Sequence, residues 1–313
     1  MNTTKVSFVL PAYKRAYLHK AITSILAQTY ADFELIVVDD VSPENLKEVV
    51  DEFQDKRLVY HRNKENLGGK NLAAAWNHAM EFATGEWCIL ASDDDLYMPT
   101  YLETLVSLSK RYPNVDLFHC RIACMDENDI VTSIGEYRNE WESCWEMLYY
   151  RGVRRSLQMA PEFMFRREAL KRNGGFVDFP LAIFSDDATW YSIAQEHGCV
   201  CAPQCLFYWR MSGQNICTRL DNMIMKAKAT LLFFKWLNAF MESLPVLNQD
   251  DTTYRLLVLK NIASSVWAIL DGFLKPLHLP QWLKAIKELS IEDVALRKRL
   301  WRNRLKRLWM LHW

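Results

Sequence analysis

The chain has 313 residues, of which 50% are hydrophobic and 24% charged, as in an ordinary globular protein with a sizeable core. Its 38 Lys and Arg residues balance 38 Asp and Glu residues, but from Lys284 onward nine basic residues face only three acidic ones. The rest of the chain is therefore modestly acidic, which disfavours nucleic-acid binding there and leaves the tail as a candidate for an anionic surface.

The first apolar run and the cysteines favour a cytoplasmic protein. Residues 6–10 are too short for the apolar core of a secretory signal, and a proline ends them. The eight cysteines include no CxxC pair typical of zinc sites, so we interpret Cys199, Cys201 and Cys205 as small buried thiols rather than metal ligands. The apolar stretch 256–274 contains Lys260, Asn261 and Asp271, which predicts a helix packed on one face rather than a membrane span.

The first third of the chain alternates between two patterns. Short apolar runs predict strands over residues 6–10, 33–38, 57–61 and 87–91, and helical spacing predicts helices over 17–28, 42–53, 72–83 and 100–112. Strands that alternate with helices at this spacing predict a parallel, doubly wound sheet with right-handed crossovers.

Two of the predicted strands end in clusters of carboxylates. Asp39 and Asp40 follow the second strand, and Asp93, Asp94 and Asp95 follow the fourth. Because open α/β sheets hold ligands at the carboxyl ends of their strands, both clusters should face one crevice. Adjacent carboxylates repel one another, and a divalent cation such as Mg²⁺ or Mn²⁺ would offset that repulsion. The alternative is that these acids only complement helix N-termini.

Ordered motifs over the first two hundred residues carry a family resemblance. The segments are VSFVLPAYKR at 6–15, SILAQTY at 24–30, FELIVVDD at 33–40, NLGG at 66–69, Asn77 with Ala79, and TGE at 84–86. In this order they resemble glycosyltransferase family 2, up to about residue 217. The resemblance implies the GT-A fold, an α/β fold with a Rossmann-like, mostly parallel sheet flanked by helices. A helical C-terminal extension follows it here.

The resemblance implies a nucleotide site beyond the first two strands. Pro11 and Tyr13 lie where the family packs the nucleobase, and Asp40 lies where it bonds a uracil ring. Asp39 is placed to touch the same nucleoside, and Asn71, at the end of the glycine-bearing loop, is counted with these nucleotide-binding residues. A carboxylate suits uracil because the imide N–H of uracil is a donor and a carboxylate only accepts.

The family usually carries Asp-x-Asp-Asp three residues before a proline. Aligned on Pro99, this chain has Ser92 in place of the first Asp and keeps Asp94 and Asp95. The resemblance therefore implies that Asp94, together with Asp95, holds a divalent metal, Mn²⁺ or Mg²⁺. Asp93 is expected near the ribose or the sugar of the donor.

Beyond residue 112 the pattern is less regular. It predicts strands over 115–120, 159–165 and 205–208 and a helix over 166–173. In the family, acceptor-specific elements fall in the segment that corresponds to 136–150. The aromatic residues of this segment have helical spacing, which favours packing in the core over stacking on a sugar; they are Trp141, Trp145, Tyr149 and Tyr150.

A second acidic pair, Asp186-Asp187, opens a predicted helix, where negative charge also complements the helix dipole. The resemblance implies that Asp187 is the catalytic base, which removes the proton of the acceptor hydroxyl, and that Asp186 orients it. The Arg that the family has six positions after the base is Ile193 here. Arg210 lies in a segment that resembles the one covering the donor diphosphate, and either neutralises phosphate charge or is an ordinary surface Arg.

After residue 218 the sequence becomes helical, over 226–240, 254–273 and the final section 281–313. The last helix combines a basic flank with an apolar stripe of Val294, Trp301, Leu305, Leu308 and Trp309. This pattern suits an anionic membrane surface, and it equally suits packing against the catalytic domain or a partner. We expect a catalytic domain over 1–218, with donor and acceptor halves of about 1–112 and 113–218, and a helical region over 219–313.

The resemblance implies an inverting, metal-dependent glycosyltransferase, which we expect to be cytoplasmic or peripheral on the inner face of the membrane. Its donor would be a nucleotide-sugar, most simply a UDP-sugar, and its acceptor a glycan or lipid-linked glycan in polysaccharide or glycolipid assembly. One alternative is an inactive nucleotide-sugar-binding scaffold. A sugar-phosphate nucleotidyltransferase is disfavoured, because Pro11-Ala12-Tyr13 is not a glycine-rich loop for a triphosphate.

Overall fold

The computed structural model describes residues 5–213, 215–216, 221–289, 291 and 294–310, with the backbone alone at 307–310. The strands are β1 (Val6–Ala12), β2 (Phe33–Asp39), β3 (Leu58–Arg62), β4 (Trp87–Leu90), β5 (Leu96–Tyr97), β6 (Leu117–Met125), β7 (Val131–Ile134), β8 (Trp141–Glu142), β9 (Met164–Arg166) and β10 (Cys199–Arg210). The helices are α1 (Leu18–Leu26), α2 (Leu46–Asp51), α3 (Leu72–Met80), α4 (Tyr101–Arg111), α5 (Cys144–Met147), α6 (Arg167–Arg172), α7 (Ser185–Ala194), α8 (Met223–Ser243), α9 (Gln249–Leu274), α10 (Leu279–Glu288) and α11 (Val294–Met310). A π-helix (Leu148–Arg154) follows α5, and a 3₁₀ turn (Ala160–Glu162) precedes β9.

Within the described part of the chain, the ten strands form one sheet in the order β3-β2-β1-β4-β9-β6-β10-β5, with β7 paired to β6 and β8 to β10. Strands β3, β2, β1 and β4 are parallel, as are β6 and β10. The remaining pairs are antiparallel and involve mostly short strands. The predicted α/β sheet flanked by helices is confirmed, and the short antiparallel strands β5, β7 and β8 are additions to it.

The inner parallel strands β1, β2 and β4 are buried on both faces, which explains why they are continuous apolar runs, whereas the edge strand β3 is partly exposed. Every residue of β4 is buried, and so is every residue of β2 except Glu34. Helix α1 covers one face with an amphipathic stripe of Leu18, Ala21, Ile22 and Ile25. Helix α3 contributes Ala79 and Met80 to the core on the other face.

The carboxyl ends of β1, β2 and β4 meet at one edge of the sheet. Ala12 pairs with Asp39, the last residue of β2, and Val9 pairs with Leu90, the last residue of β4. The loops that leave this edge therefore carry both carboxylate clusters, as the predicted topology requires. The shared edge is confirmed at the level of the backbone, and the shared crevice stays a prediction.

Several strand boundaries differ from the prediction. β6 runs over Leu117–Met125 rather than 115–120, and β9 over Met164–Arg166 rather than 159–165, because Ala160–Glu162 forms a 3₁₀ turn. β1 and β10 differ as well. β1 continues through Pro11 to Ala12, which is tolerated because β4 pairs with β1 only as far as Val9. β10 begins at Cys199, six residues before the predicted start, because this end of the strand pairs with β6 and β8. Cys199 and Cys201 are consequently buried.

The aromatic segment folds as β8, α5 and the π-helix, so the predicted helical spacing is wrong at Trp141, which lies on β8 and is half-buried. Trp145 is buried in the core, as the helical spacing favours, and the ring of Tyr149 lies 5.5 Å from the ring of Tyr254 on α9. Gly152 permits a close approach between the π-helix and α9, since a Cβ there would lie 3.0 Å from Cδ1 of Ile262. The C-terminal helices are thus packed directly against this segment.

Helix α9 packs on one face, as predicted. Its buried apolar residues recur every four positions and are Val258, Ile262, Val266, Leu270 and Leu274. The first three share a core cluster with the sheet, whereas the last two belong to a small cluster with α10 and α11. By length and composition α9 is also able to cross a membrane, with 22% of its apolar window buried. That property is weak support for a span, because core helices of soluble proteins share it.

Helix α11 packs through a different face from the predicted apolar stripe. Leu300 is buried against α10, while Val294, Trp301 and Leu305 of the stripe are 50%, 37% and 58% exposed. The other two stripe residues, Leu308 and Trp309, lie outside the described side chains. Trp301 also packs edge-on against Trp282 of α10, with ring centres 4.7 Å apart. Over the described length, Val294 and Leu305 are the stripe residues that stay available to a further surface.

Glu34 links the amino-terminal ends of the strands, at the edge opposite the carboxylate clusters. Its carboxylate accepts hydrogen bonds from Lys5 Nζ at 2.8 Å, Ser7 Oγ at 2.6 Å and the N–H of Thr84 at 2.8 Å. Burial raises the pKa of Glu34, but these bonds outweigh burial and lower the pKa to about 2. The ionised carboxylate thus stabilises the fold.

We expect this stability to be lost as the pH falls from about 4.3, the pKa of an unfolded Glu, towards the lowered folded pKa of about 2. Glu34→Gln should lower the free energy of unfolding at pH 7 by about 1–2 kcal/mol, an energy that is discounted because Lys5 is exposed. The variant should also flatten the pH dependence of stability in that window. Urea unfolding between pH 3 and 7 measures both effects. Glu127→Gln, in an exposed turn, is the control, and an unchanged slope in Glu34→Gln would contradict the assignment.

Candidate active site

Asp39 is a fully buried support of the loop after β2. Its Oδ1 accepts from the N–H of Ser42 at 2.8 Å, and its Oδ2 accepts from Tyr60 Oη at 2.6 Å and from the Arg62 guanidinium. Contact of Asp39 with a nucleoside therefore stays a prediction. The protein itself surrounds this carboxylate, and its geometry is that of a structural acid.

Asp40 binds the glycine-bearing loop. It accepts from Asn63 Nδ2 at 2.7 Å and from the N–H groups of Leu67 at 2.9 Å and Gly68 at 2.7 Å. A Cβ at position 68 would lie 3.0 Å from Oδ2 of Asp40, so the loop needs glycine to come this close. Because a carboxylate accepts about four hydrogen bonds, Asp40 keeps capacity for one ligand donor.

The other predicted nucleotide-binding residues surround this edge. Tyr13 follows β1 directly and is 45% exposed, so its ring is accessible to a planar base. Pro11, near the end of the same strand, is half-buried. Asn71 caps α3 by accepting from the N–H of Ala74 at 3.0 Å, and it donates to Asp178 at 2.7 Å. Asn71 thus ties the start of α3 to the segment before α7.

The loop after β1 also wraps around the first acid of the triple. The N–H groups of Tyr13 and Lys14 donate to Oδ2 of Asp93 at 2.9 and 2.8 Å. Asp93 is only 5% exposed, and burial raises its pKa. The two backbone donors stabilise its ionised form and fix the loop against β4.

Lys14 places an ammonium group on the acid that is expected to bind metal. Its Nζ lies 2.8 Å from Oδ2 of Asp94 and 3.5 Å from Oδ1 of Asp93. Ser92 Oγ donates to Oδ1 of Asp94 at 2.5 Å. Burial lowers the pKa of Lys14, but the two carboxylates outweigh it and raise the pKa. Sequence reasoning missed Lys14, because a Lys after Tyr13 has no distinguishing local pattern.

Arg210 secures the acidic loop from the last strand. Its N–H donates to Oδ1 of Asp95 at 2.8 Å, and its Nε donates to the backbone oxygen of Asp94 at 2.8 Å. The guanidinium is fully buried, pairs with Asp129 at 2.5 Å and lies 4.2 Å from the centre of the Tyr17 ring. Arg210 is thus not the ordinary surface Arg of the alternative interpretation, and its contact with a donor phosphate stays a prediction.

Asp94 and Asp95 fit a divalent cation. Burial, followed by the charge of Asp94, raises the pKa of Asp95 well above its usual range, and a cation would favour the ionised form. Carboxylate oxygens are the ligands that Mg²⁺ and Mn²⁺ prefer, and the ammonium of Lys14 already marks a position that attracts positive charge. Within the described residues, no three His, Cys, Asp or Glu side chains converge as a complete metal cage.

The second acidic pair lies in the first turn of α7. Oδ1 of Asp187 accepts from Arg151 Nε at 2.8 Å and from Gln158 Nε2 at 3.2 Å, and Oδ2 accepts from Arg151 Nη2 at 3.0 Å. This bidentate ion pair fixes a carboxylate that is 2% exposed. Arg151 supplies a guanidinium that the sequence, with Ile193 at the family position, did not reveal. Arg151 and Gln158 were missed because both are distant in the chain.

Asp186 has a different environment from its neighbour. It is half-buried, and burial together with the charge of Asp187 raises its pKa to about 7. The turn before α7 has left-handed backbone at Leu181, Ala182 and Phe184, a kind of strain that clusters at functional sites.

The 3₁₀ turn Ala160–Glu162 connects the two acidic sites. Because β9 is antiparallel to β4, with Met164 opposite Ile89, this turn lies beside the end of β4. Tyr97 Oη, two residues after the acidic triple, donates to the backbone oxygen of Pro161 at 2.8 Å. Gln158, just before the turn, reaches Asp187. The two sites thus lie on adjoining segments of one sheet edge.

Comparison with known sequences identifies relatives of this chain. The model of glycosyl transferase family 2 matches residues 7–174, more than half of the chain. An uncharacterised glycosyltransferase of Methanocaldococcus jannaschii is 30% identical over 178 residues, which are 55% of this chain and 59% of that protein. The UDP-Glc:alpha-D-GlcNAc-diphosphoundecaprenol beta-1,3-glucosyltransferase WfgD of Escherichia coli is 31% identical over 132 residues, 42% of this chain and 51% of that protein. The chain therefore spans little more than half the length of these relatives.

Solved structures share the fold. TarS of S. aureus in complex with UDP-GlcNAc has a TM-score of 0.69 at 16% identity, over 91% of this chain and 80% of that chain. The mannosyltransferase PcManGT from Pyrobaculum calidifontis, in complex with GDP-Man and Mn²⁺, has a TM-score of 0.58 at 17% identity, over 98% and 81% of the two chains. At these identities the likeness establishes the architecture.

Proposed function

Because this chain belongs to glycosyl transferase family 2, we propose that it moves a sugar from a UDP-sugar to a hydroxyl group of an acceptor, with inversion at the anomeric carbon. The observation that carries this proposal is the presence of two acidic sites on one sheet edge. One is the buried carboxylate triple after β4, and the other is the ion-paired Asp187 of α7. The names of WfgD and of the TarS complex, both with uridine donors, support the choice of UDP.

The donor would bind across the ends of β1 and β2. The exposed ring of Tyr13 and the adjacent Pro11 would pack on the nucleobase, and Asp40 would accept from the uracil imide N–H. Asp93 would lie near the ribose or sugar. Asn71 would contribute by capping the start of α3, and Asp39 would hold the loop after β2 in place.

Asp94 and Asp95 would hold a divalent metal, Mn²⁺ or Mg²⁺, whose positive charge stabilises the departing diphosphate. Mg²⁺ sites of this kind use one or two carboxylates and complete the shell with substrate phosphates. For this, Lys14 must leave Oδ2 of Asp94. Its four-carbon stem and 29% exposed side chain allow that movement, and the donor phosphates offer it a new partner.

Asp187 would remove the proton of the acceptor hydroxyl as its oxygen attacks the anomeric carbon, opposite the leaving nucleotide. The bond from the anomeric carbon to the diphosphate oxygen breaks in the same step, so no protein nucleophile is needed. Arg151 and Gln158 would orient the carboxylate through their hydrogen bonds to it. Direct displacement inverts the anomeric centre.

The donor site predicts a coupled response to nucleotide and metal. In calorimetry, UDP should bind with Mn²⁺ present, and Asp94→Ala should lose this metal-dependent binding. Lys14→Met should bind Mn²⁺ about tenfold more tightly in the absence of UDP, because no ammonium competes for Asp94. Lys20→Met, which removes an exposed pair with Asp129, is the control. UDP binding that ignores both Mn²⁺ and Asp94 would contradict a metal-dependent donor site.

The base site predicts a separation of turnover from binding. Asp187→Asn should lower transfer by about 10²–10⁴-fold while UDP binding stays unchanged, because Asp187 would act on the acceptor. Wild-type turnover should fall as the pH drops through about 7, where Asp186 takes up a proton and weakens the base. In Asp186→Asn the decline of turnover at low pH should disappear. The variant should also be more stable than the wild type above pH 7, because there the ionised carboxylate of Asp186 lowers the stability of the wild type.

Equal turnover in wild type and Asp187→Asn would refute the assigned base. A wild-type protein that binds UDP-sugar but shows no transfer to any glycan or lipid-linked acceptor would favour the alternative of an inactive binder. A pH limb that persists in Asp186→Asn would assign the titration to another group.

We also propose that the C-terminal tail brings the protein to an anionic membrane surface, with the catalytic site facing the cytoplasm. On α11 the basic residues Arg297, Arg299, Arg302 and Lys306 accompany the exposed stripe residues Trp301 and Leu305. Vesicles with anionic lipids should therefore cosediment the full chain, and deletion of residues 295–313 should abolish this at physiological salt. Equal cosedimentation of both proteins would refute the proposal.

A further inference from the structure

A cavity of about 230 Å³ opens beside the carboxylate of Asp187. Its walls come from α7, from the π-helix and from the C-terminal helices α8 and α9, and they include Arg151, Arg155, Asp187, Phe233, Ile262 and Val266. Helices α8 and α9 lie outside the residues that match the family model. This wall is therefore a feature of this chain rather than of the matched segment.

One side of the cavity is apolar. Phe233 of α8 and Ile262 and Val266 of α9 are buried side chains without hydrogen-bonding groups. A sugar enclosed here would lose water from its hydroxyl groups and find no partner on this side. The apolar wall thus favours hydrocarbon over a second sugar ring.

The mouth of the cavity carries a guanidinium with spare capacity. Arg151 is committed to Asp187, and Arg154 pairs with Glu136 at 3.6 Å. Arg155 is exposed, and its Nη2 donates to the backbone oxygen of Ser265 at 3.2 Å. In the described part of the chain no carboxylate lies within ion-pair distance of Arg155. Its φ of +61° is a strained conformation for a residue with a side chain, and it holds the cation at this position.

We propose that this cavity binds the part of the acceptor next to the reacting sugar, namely a diphosphate and the first portion of an isoprenoid chain. The inference rests on the proposed function, because Asp187 must face the acceptor hydroxyl. The diphosphate lies against Arg155, which offers a planar fork for phosphate oxygens. The chain then continues along Phe233, Ile262 and Val266.

The size of the cavity limits what it encloses. Pockets that hold a drug-sized ligand measure about 300–1,000 Å³, so 230 Å³ encloses only the head of a long chain. The remainder extends outward along α8 and α9, where Leu232 and Leu259 are 40% and 50% exposed. The C-terminal helices therefore select the acceptor, while the matched segment binds the donor.

The test uses farnesyl diphosphate as the probe, with saturating UDP and Mn²⁺ to fill the donor site. Calorimetry should show binding to the wild type, and both inorganic diphosphate and farnesol should bind at least about tenfold more weakly. Ile262→Trp, which fills the cavity, should weaken farnesyl diphosphate binding by about tenfold or more. Lys260→Trp, at an exposed position of α9 outside the cavity lining, should leave it unchanged.

Arg155→Ala provides a second variant that leaves the apolar packing intact, with Arg154→Ala as its neighbour control. Arg155→Ala should weaken the probe, and Arg154→Ala should not. UDP binding must be retained in all variants, which shows that they fold. The proposal is overturned if the wild type does not bind the probe, if inorganic diphosphate binds equally well, or if Ile262→Trp and Arg155→Ala both bind as the wild type does. Absence of UDP binding in the wild type would instead overturn the proposed function.

Discussion

Three consecutive carboxylates buried at the end of β4 are the constraint on which the rest of the structure depends. Left alone, they would repel one another and lose solvation. The chain offsets this with hydrogen-bond donors from two other strands. The N–H groups of Tyr13 and Lys14 lie after β1, and Arg210 lies at the end of β10. The same interactions that make the acids tolerable therefore close the fold around them, so fold and site form together.

The two acidic sites solve the problem of buried charge in different ways. At Asp94 the partner is Lys14, a compact charge on a flexible stem that can leave when a better cation arrives. At Asp187 the partner is Arg151, whose planar fork bonds both carboxylate oxygens and sets their direction. Exchange suits a site that must admit a metal and a diphosphate, and fixed geometry suits one that must receive a single proton.

The sequence predicted what is encoded locally. Continuous apolar runs identified the parallel strands, and acids at strand ends identified the sheet edge of the site, because both follow from chain order and topology. Arg151 lies 36 residues from Asp187 on a π-helix, so only the folded chain brings the two together. Arg210 and Asp39 follow or end strands in the sequence like many surface residues, and their complete burial depends on packing that no local pattern records.

The inner face of α9 serves two purposes at once. Ile262 and Val266 belong to the core that α9 shares with the sheet, and they also line the cavity beside Asp187. A smaller residue at either position widens the cavity but leaves core atoms without contacts, and a larger one strains the approach of Gly152. Evolution of specificity for a new acceptor through these residues therefore also changes the thermal stability of the protein, and compensating changes on the π-helix must accompany it.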